Sequence, residues 1–171
     1  MIQDPLTLYK LIILYMLDRV DFKLTSAQIS SFILEKEYTN YMTLQQVLSD
    51  LLDTELIKAD TLRNRTYYAI TEEGQNTLSY FGNRISDAII NDINTFLKEK
   101  NLELKNEASI TANYDRAVTG GYDAELTAKE KDIELVKIKL NVPTKEMAET
   151  ICDSWYNKNQ QIYKYLMQEL F

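Results

Sequence analysis

Arg63 and Arg65 flank Asn64 in the stretch LRNRTYYAITEEG, residues Leu62 to Gly74. Two guanidinium groups this close are hydrogen-bond donors suited to anions. They form the only close basic pair in the first 80 residues of a chain whose formal net charge is −7. Other chemistries are missing. The chain has no histidine, so His-built zinc sites, Ser-His-Asp triads and histidine general bases are excluded. No Gly-rich phosphate loop accompanies the carboxylates. In the second half, acids such as Glu103, Asp123 and Glu125 interleave with Lys105 and Lys129, which leaves no acid/base pair and no hard-cation cage. Cys152 is alone, so no internal disulfide can form. It lies on an expected helix without a basic cluster, the setting of a small buried hydrophobe and not of a reactive thiol. The expectation is no catalytic residue, no metal, no cofactor, and no enzyme.

The elements that would hold the Arg63–Arg65 pair follow from patterning. At 171 residues, 45% apolar and 26% charged, the chain has the composition of an ordinary soluble protein with one medium domain or two small ones. Four glycines and two prolines leave little room for long linkers. The apolar stretch Leu6 to Leu17 is too short and too interrupted for a membrane span, and no basic segment precedes it. A cytoplasmic protein is expected, with no membrane partner.

Asp4-Pro5 starts a helix, with Asp as cap and Pro at the first helical position. Thr25-Ser-Ala-Gln28 fits a capping box before a short helix that buries Ile29, Phe32 and Ile33. Thr43-Leu-Gln-Gln46 repeats the box and opens a third helix with Leu44, Val47, Leu48, Leu51 and Leu52 on one face. A short strand at Leu56–Asp60, a turn at Arg63-Asn64 and the alternation Thr66, Tyr68, Ile70 read as a hairpin. Thr71, Glu72 and Glu73 start a fourth helical region reaching about Asn101, with Gly82 able to kink or divide it. From Leu102 the period becomes two, in three strands separated by Gly120-Gly121 and by residues 129–132. A parity flip near Leu135-Val136 predicts a bulge. A last helix carries Met147, Ile151, Trp155, Ile162 and Leu166. No internal repeat or low-complexity run is present.

Helix, helix, helix, hairpin is the winged helix-turn-helix order. The segment Arg65, Tyr68, Ile70, Thr71 and Gly74 resembles the wing of PadR- and MarR-type transcriptional regulators. With its αβββα tail, the whole chain resembles an uncharacterised bacterial domain-of-unknown-function family with a winged-helix N-terminus. The resemblance implies an α+β fold: an N-terminal winged helix (three helices plus a β-hairpin) over residues 1–80, a long linking helix, and a C-terminal αβββα domain with a three-stranded antiparallel sheet. Residues 81–171 would form a scaffold for dimerisation or partner binding.

The same resemblance makes residues 43–54 a recognition helix and residues 56–70 a wing on double-stranded DNA. Gln45, Gln46 and Ser49 would face outward, where glutamine suits an adenine edge. Asn40, Tyr41 and Thr43 would contact phosphate from the preceding turn, and Arg63, Asn64 and Arg65 would sit at the wing. Tyr67, Tyr68 and Trp155 read as packing residues. A homodimer through residues 71–101 or the C-terminal helix would place two recognition helices one DNA turn apart.

Against this stands the charge. Residues 1–80 hold seven basic and eleven acidic side chains, net −4, and the Thr43 helix has no Lys or Arg. Affinity for DNA rests heavily on phosphate neutralisation. The alternative is a winged-helix protein-interaction or assembly module that does not bind DNA. In the C-terminal sheet, Glu103, Lys105, Glu107, Thr111, Asp123, Glu125, Thr127 and Lys129 would form a solvated face, open to a partner protein or a second copy.

Overall fold

In the computed structural model, which describes residues 4–62, 65–130 and 133–171, α1 (Pro5–Asp18) begins as expected. Asp4 accepts a hydrogen bond from the Leu6 amide at 3.2 Å, and Pro5 occupies the first turn. Every residue from Leu11 to Leu17 is buried, so this helix is buried all round and not along one stripe. It packs against α3 (Tyr41–Asp53), β3 (Arg65–Ile70) and α4 (Glu72–Phe81).

Between α1 and α2 (Ser26–Glu35) lies a two-residue strand not expected from the sequence, β1 (Leu24–Thr25). Leu24 and Thr25 pair antiparallel with Tyr68 and Tyr67. With β2 (Ile57–Leu62) this makes a three-stranded antiparallel sheet in the order β1-β3-β2, where only the hairpin was expected. Two residues are too few to show a period. The Thr25 capping box is present: Thr25 Oγ1 accepts from the Gln28 amide at 3.1 Å, and Gln28 Oε1 accepts from the Thr25 amide at 2.8 Å.

α3 starts two residues earlier than its expected box. Asn40 is the cap, accepting from the Thr43 amide at 2.9 Å, so Thr43 lies inside the first turn and Gln46 has no capping role. Its inner face is Leu44, Val47, Leu48 and Leu51, with Leu52 half-buried.

The fourth helical region divides at Gly82. α4 ends at Phe81, a single 3-10 turn covers Gly82–Arg84, and α5 runs Asp87–Ser109. Along this region Leu78, Ile85, Ile93, Phe96 and Leu97 are buried, while Phe81 is 42% exposed and Ala88 is exposed. The strand expected from Leu102 is helix instead, and β4 begins only at Ile110. Glu103, Lys105 and Glu107 therefore lie on α5 and not on a sheet face. Leu102, Leu104 and Ala108 share the parity of a strand, but the local composition favours helix. From Phe96 to Ser109 there is no β-branched residue, and the segment is rich in Lys, Glu and Leu, which favour helix. Leu104 is buried at helical spacing from Leu97 and Lys100.

Two compact units result. One holds the residues up to Thr61 and Arg65–Lys105, and the other Asn106–Phe171. In the second unit, β4 (Ile110–Arg116), β5 (Tyr122–Glu130) and β6 (Ile133–Val142) form an antiparallel sheet in the order β4-β5-β6, and α6 (Lys145–Leu170) covers one face. The core is Ala112, Ala124, Leu126, Ala128, Cys152 and Trp155, with the Trp155 indole N–H donating to the Thr127 carbonyl at 3.1 Å.

The bulge is where the parity flip placed it. Ala128 pairs with Val136 and Lys129 with Glu134, leaving Leu135 extra. At the β4–β5 turn, Gly120 (φ 104°) and Gly121 (φ 71°) are both left-handed. Two expectations are corrected. Met147 is 47% exposed, because the buried stripe of α6 is Ala148, Cys152, Trp155 and Asn159, one residue round the helix. Thr127 is buried although it belongs to the parity expected in solvent. Around it that face carries matched charges, Lys137–Glu125 at 2.9 Å and Lys139–Asp123 at 3.3 Å. Among the described residues no helix is long and apolar enough to cross a membrane.

Candidate functional site

The outer face of α3 is exposed, and of the expected site residues Tyr41, Gln46 and Ser49 fall on or beside it. Its exposed stripe runs Met42, Gln46, Ser49 and Asp53, spaced four, three and four residues apart. Tyr41, 56% exposed, stands beside it in the first turn. Asn40 is exposed but engaged as the cap, and Thr43 is half-buried with its amide held by Asn40.

The two glutamines separate. Gln45 is half-buried, with its Nε2 occluded and without a hydrogen-bond partner, so it does not face outward as expected. Gln46 is exposed, and its Nε2 donates to Asp50 Oδ1 at 2.8 Å. Asp50 Oδ2 in turn meets Lys10 Nζ of α1 at 3.0 Å. The Lys10 hydrogen bond, then that of Gln46, holds the Asp50 carboxyl below the usual carboxylate range, so it is ionised at neutral pH. Lys10 is thereby spent on a neighbouring acid. So are Lys23, paired with Asp60, and Lys36, 3.5 Å from Asp92. Arg19 lies over the Tyr15 ring, 4.7 Å from its centroid.

Lys58 on β2 and Arg65 on β3 are exposed cations of the hairpin. Arg63 and Asn64, expected at its tip, lie outside the described residues. Thr61 and Thr66 hydroxyls face one another at 3.4 Å across β2 and β3. Tyr67 and Tyr68 are buried, 4% and 7% exposed, as packing residues should be.

Thr71 and Gly74 act within the fold. The Thr71 amide donates to the Leu56 carbonyl at 3.1 Å, and its hydroxyl donates to the Glu55 carbonyl at 2.7 Å. Thr71 Oγ1 accepts from the Gly74 amide at 3.1 Å. A Cβ at Gly74 would lie 2.1 Å from the Leu56 carbonyl oxygen, which explains a glycine in the first turn of a helix.

Sequence reasoning missed Met42 and the Lys10–Asp50–Gln46 chain. The spacing of Gln46 and Asp50, four residues on one helix, is a legible signal. The contribution of Lys10, forty residues away, is not. Among the described residues no three of His, Cys, Asp and Glu converge as metal ligands would.

Residues 9–170 match the protein family described as Domain of unknown function (DUF4364). No curated protein and no solved structure matches the chain. The match spans nearly the whole sequence, and the chain belongs to the DUF4364 family.

Proposed function

We propose that the first unit is a winged helix-turn-helix and that the protein is a DNA-binding transcriptional regulator, with α3 as recognition helix and the β2–β3 hairpin as wing. One observation carries the reading. β1, placed between α1 and α2, hydrogen-bonds β3 and closes the order β1-β3-β2, which is the strand arrangement a winged helix requires. The outer face of α3 is left uncovered, as a helix entering the major groove must be.

Cationic support is thin. Lys10, Lys23 and Lys36 pair with acids, and in this reading Arg63, Arg65 and Lys58 of the hairpin segment carry the phosphate contacts. Affinity per protomer is then weak, and a homodimer on a two-fold operator is the arrangement that raises it. Filter binding against random duplex DNA over a salt series tests this. Arg63→Ala with Arg65→Ala should weaken binding to all sequences alike and reduce the salt slope by up to about two. Unchanged binding by the double variant would remove the wing assignment, and a monomer in light scattering would remove the two-fold operator.

The acidic balance of the same surface favours a second reading, a winged helix that assembles with a protein and never touches DNA. Asp53 is exposed on the α3 stripe, Asp50 flanks it, and α3 carries no cation. No measurable duplex binding even at low salt would select this reading.

A further inference from the structure

Gln46 is a side chain whose two hydrogen-bonding ends have been assigned by its neighbour. A carboxylate only accepts hydrogen bonds, so Asp50 can engage the amide of Gln46 solely through its NH₂ end. The 2.8 Å contact therefore fixes which way the amide is turned. Lys10, 3.0 Å from the other carboxylate oxygen, holds Asp50 in place from α1. What Gln46 then offers outward is its carbonyl oxygen and one remaining N–H, an acceptor beside a donor.

In the major groove adenine shows the complementary pair, the N6 amino donor beside the N7 acceptor. Guanine shows two acceptors, O6 and N7, and its O6 would face the Gln46 carbonyl. We infer that α3 reads adenine through Gln46, and that Asp50, held by Lys10, is the positioning residue that excludes guanine. This rests on the DNA reading above and narrows it to operators with an A·T pair under each recognition helix.

Two further observations agree. α3 has no Lys or Arg, so the bidentate donor that guanine takes most often is missing. Met42 is 76% exposed, four residues before Gln46 on the same stripe. That places it about 6 Å further along the helix axis, where its methyl can lie against the C5-methyl of thymine in a neighbouring pair. Gln45 does not share the role, since its amide nitrogen is occluded.

The test selects the full-length protein against a random duplex library at low salt. The enriched duplex is then titrated with its adenine replaced by guanine or by 7-deazaadenine, which lacks N7. Guanine should weaken binding roughly five- to a hundredfold, and 7-deazaadenine by less. Gln46→Ala should abolish both differences. Asp50→Ala should still bind, with a smaller adenine-over-guanine ratio, because the amide is free to turn. Lys10→Met should narrow the ratio in the same direction, and both variants are checked by thermal melting.

Base preference is a readout that a merely structural Asp50 would not move. An enriched site whose preference survives Gln46→Ala overturns the inference, as does an Asp50→Ala variant that loses affinity for both duplexes equally. A protein that binds duplexes without preference overturns this inference alone. One that binds no duplex overturns the DNA reading with it.

Discussion

Gly74→Ala sets two effects of opposite sign against each other. Alanine is favoured over glycine in a helix by about 1 kcal/mol, so on propensity alone the change should stabilise α4. The surroundings oppose it. The new Cβ would stand 2.1 Å from the Leu56 carbonyl oxygen and 2.8 Å from Ile70 Cγ1, against an ordinary contact of at least 3.4 Å. Clearing the carbonyl requires α4 to move by more than an ångström. Leu56 O also accepts from the Thr71 amide at 3.1 Å, and a shift of that size breaks that bond.

Losing the Thr71 cap costs about 1 kcal/mol. Losing the Thr71–Leu56 backbone bond costs about 1 more. Overpacking adds about 1–3. After the propensity gain the variant should be destabilised by about 2–4 kcal/mol. For a unit of this size, that lowers the melting temperature by roughly 10–25 °C. Thermal and urea unfolding followed by circular dichroism measure it. Gly82→Ala is the control: its φ is helical, and the nearest atom to the new Cβ is Leu78 Cδ1 at 3.4 Å, so it should be neutral or slightly stabilising. A Gly74→Ala protein as stable as the parent would refute the close approach of α4 to Leu56.

Thr25→Ala and Gln28→Ala each remove half of a buried reciprocal cap and should cost about 1–2 kcal/mol in urea unfolding. The double variant should cost less than the sum, and strict additivity would show that the two bonds do not form a unit. Burial, then the hydrogen bond to Asp92, raises the Tyr38 hydroxyl from 10.0 to about 12. Because the folded state keeps a proton that the unfolded chain loses, stability should be flat below pH 10 and fall as pH rises from 10 to 12; Tyr38→Phe should flatten that fall, and an unchanged alkaline limb would contradict it. Trp155→Phe removes the donor to the Thr127 carbonyl along with part of the ring volume, and should cost the second unit about 1–3 kcal/mol in calorimetry, where an unshifted melt would argue against the contact.

The helices were legible wherever a cap coincided with an apolar period: Asp4-Pro5, Thr25 with Gln28, and Thr71 with two acids all start helices where they were expected to. Failure came where two signals competed. Asn40 and Thr43 both can cap, and the position three residues earlier won, which released Gln46 for Asp50. Leu104 suits a strand by parity and a helix by its distance from Leu97, and local helix propensity decided between them. β1 carries no period at all, and its existence depends on Tyr67 and Tyr68 arriving from more than forty residues away. At the candidate site the residue types were readable and their directions were not. Gln45 and Gln46 are equivalent in composition, and only packing turns one amide inward and the other to Asp50.

Leu135 gives β6 one place where its length is negotiable. It is the residue without a counterpart, between Glu134 opposite Lys129 and Val136 opposite Ala128. Deleting it would join the two halves of the strand into an unbroken alternation with every side chain on its present face. Deleting any residue from Lys137 to Asn141 would instead exchange faces on one side of the cut, setting lysines toward the core or apolar groups toward solvent. Tolerance to single-residue deletion along this strand should therefore peak at Leu135 and drop on either side, and an insertion beside it would enlarge an irregularity already present. A change of length in this strand is least disruptive there, because only there does it leave the rest of the alternation as it stands.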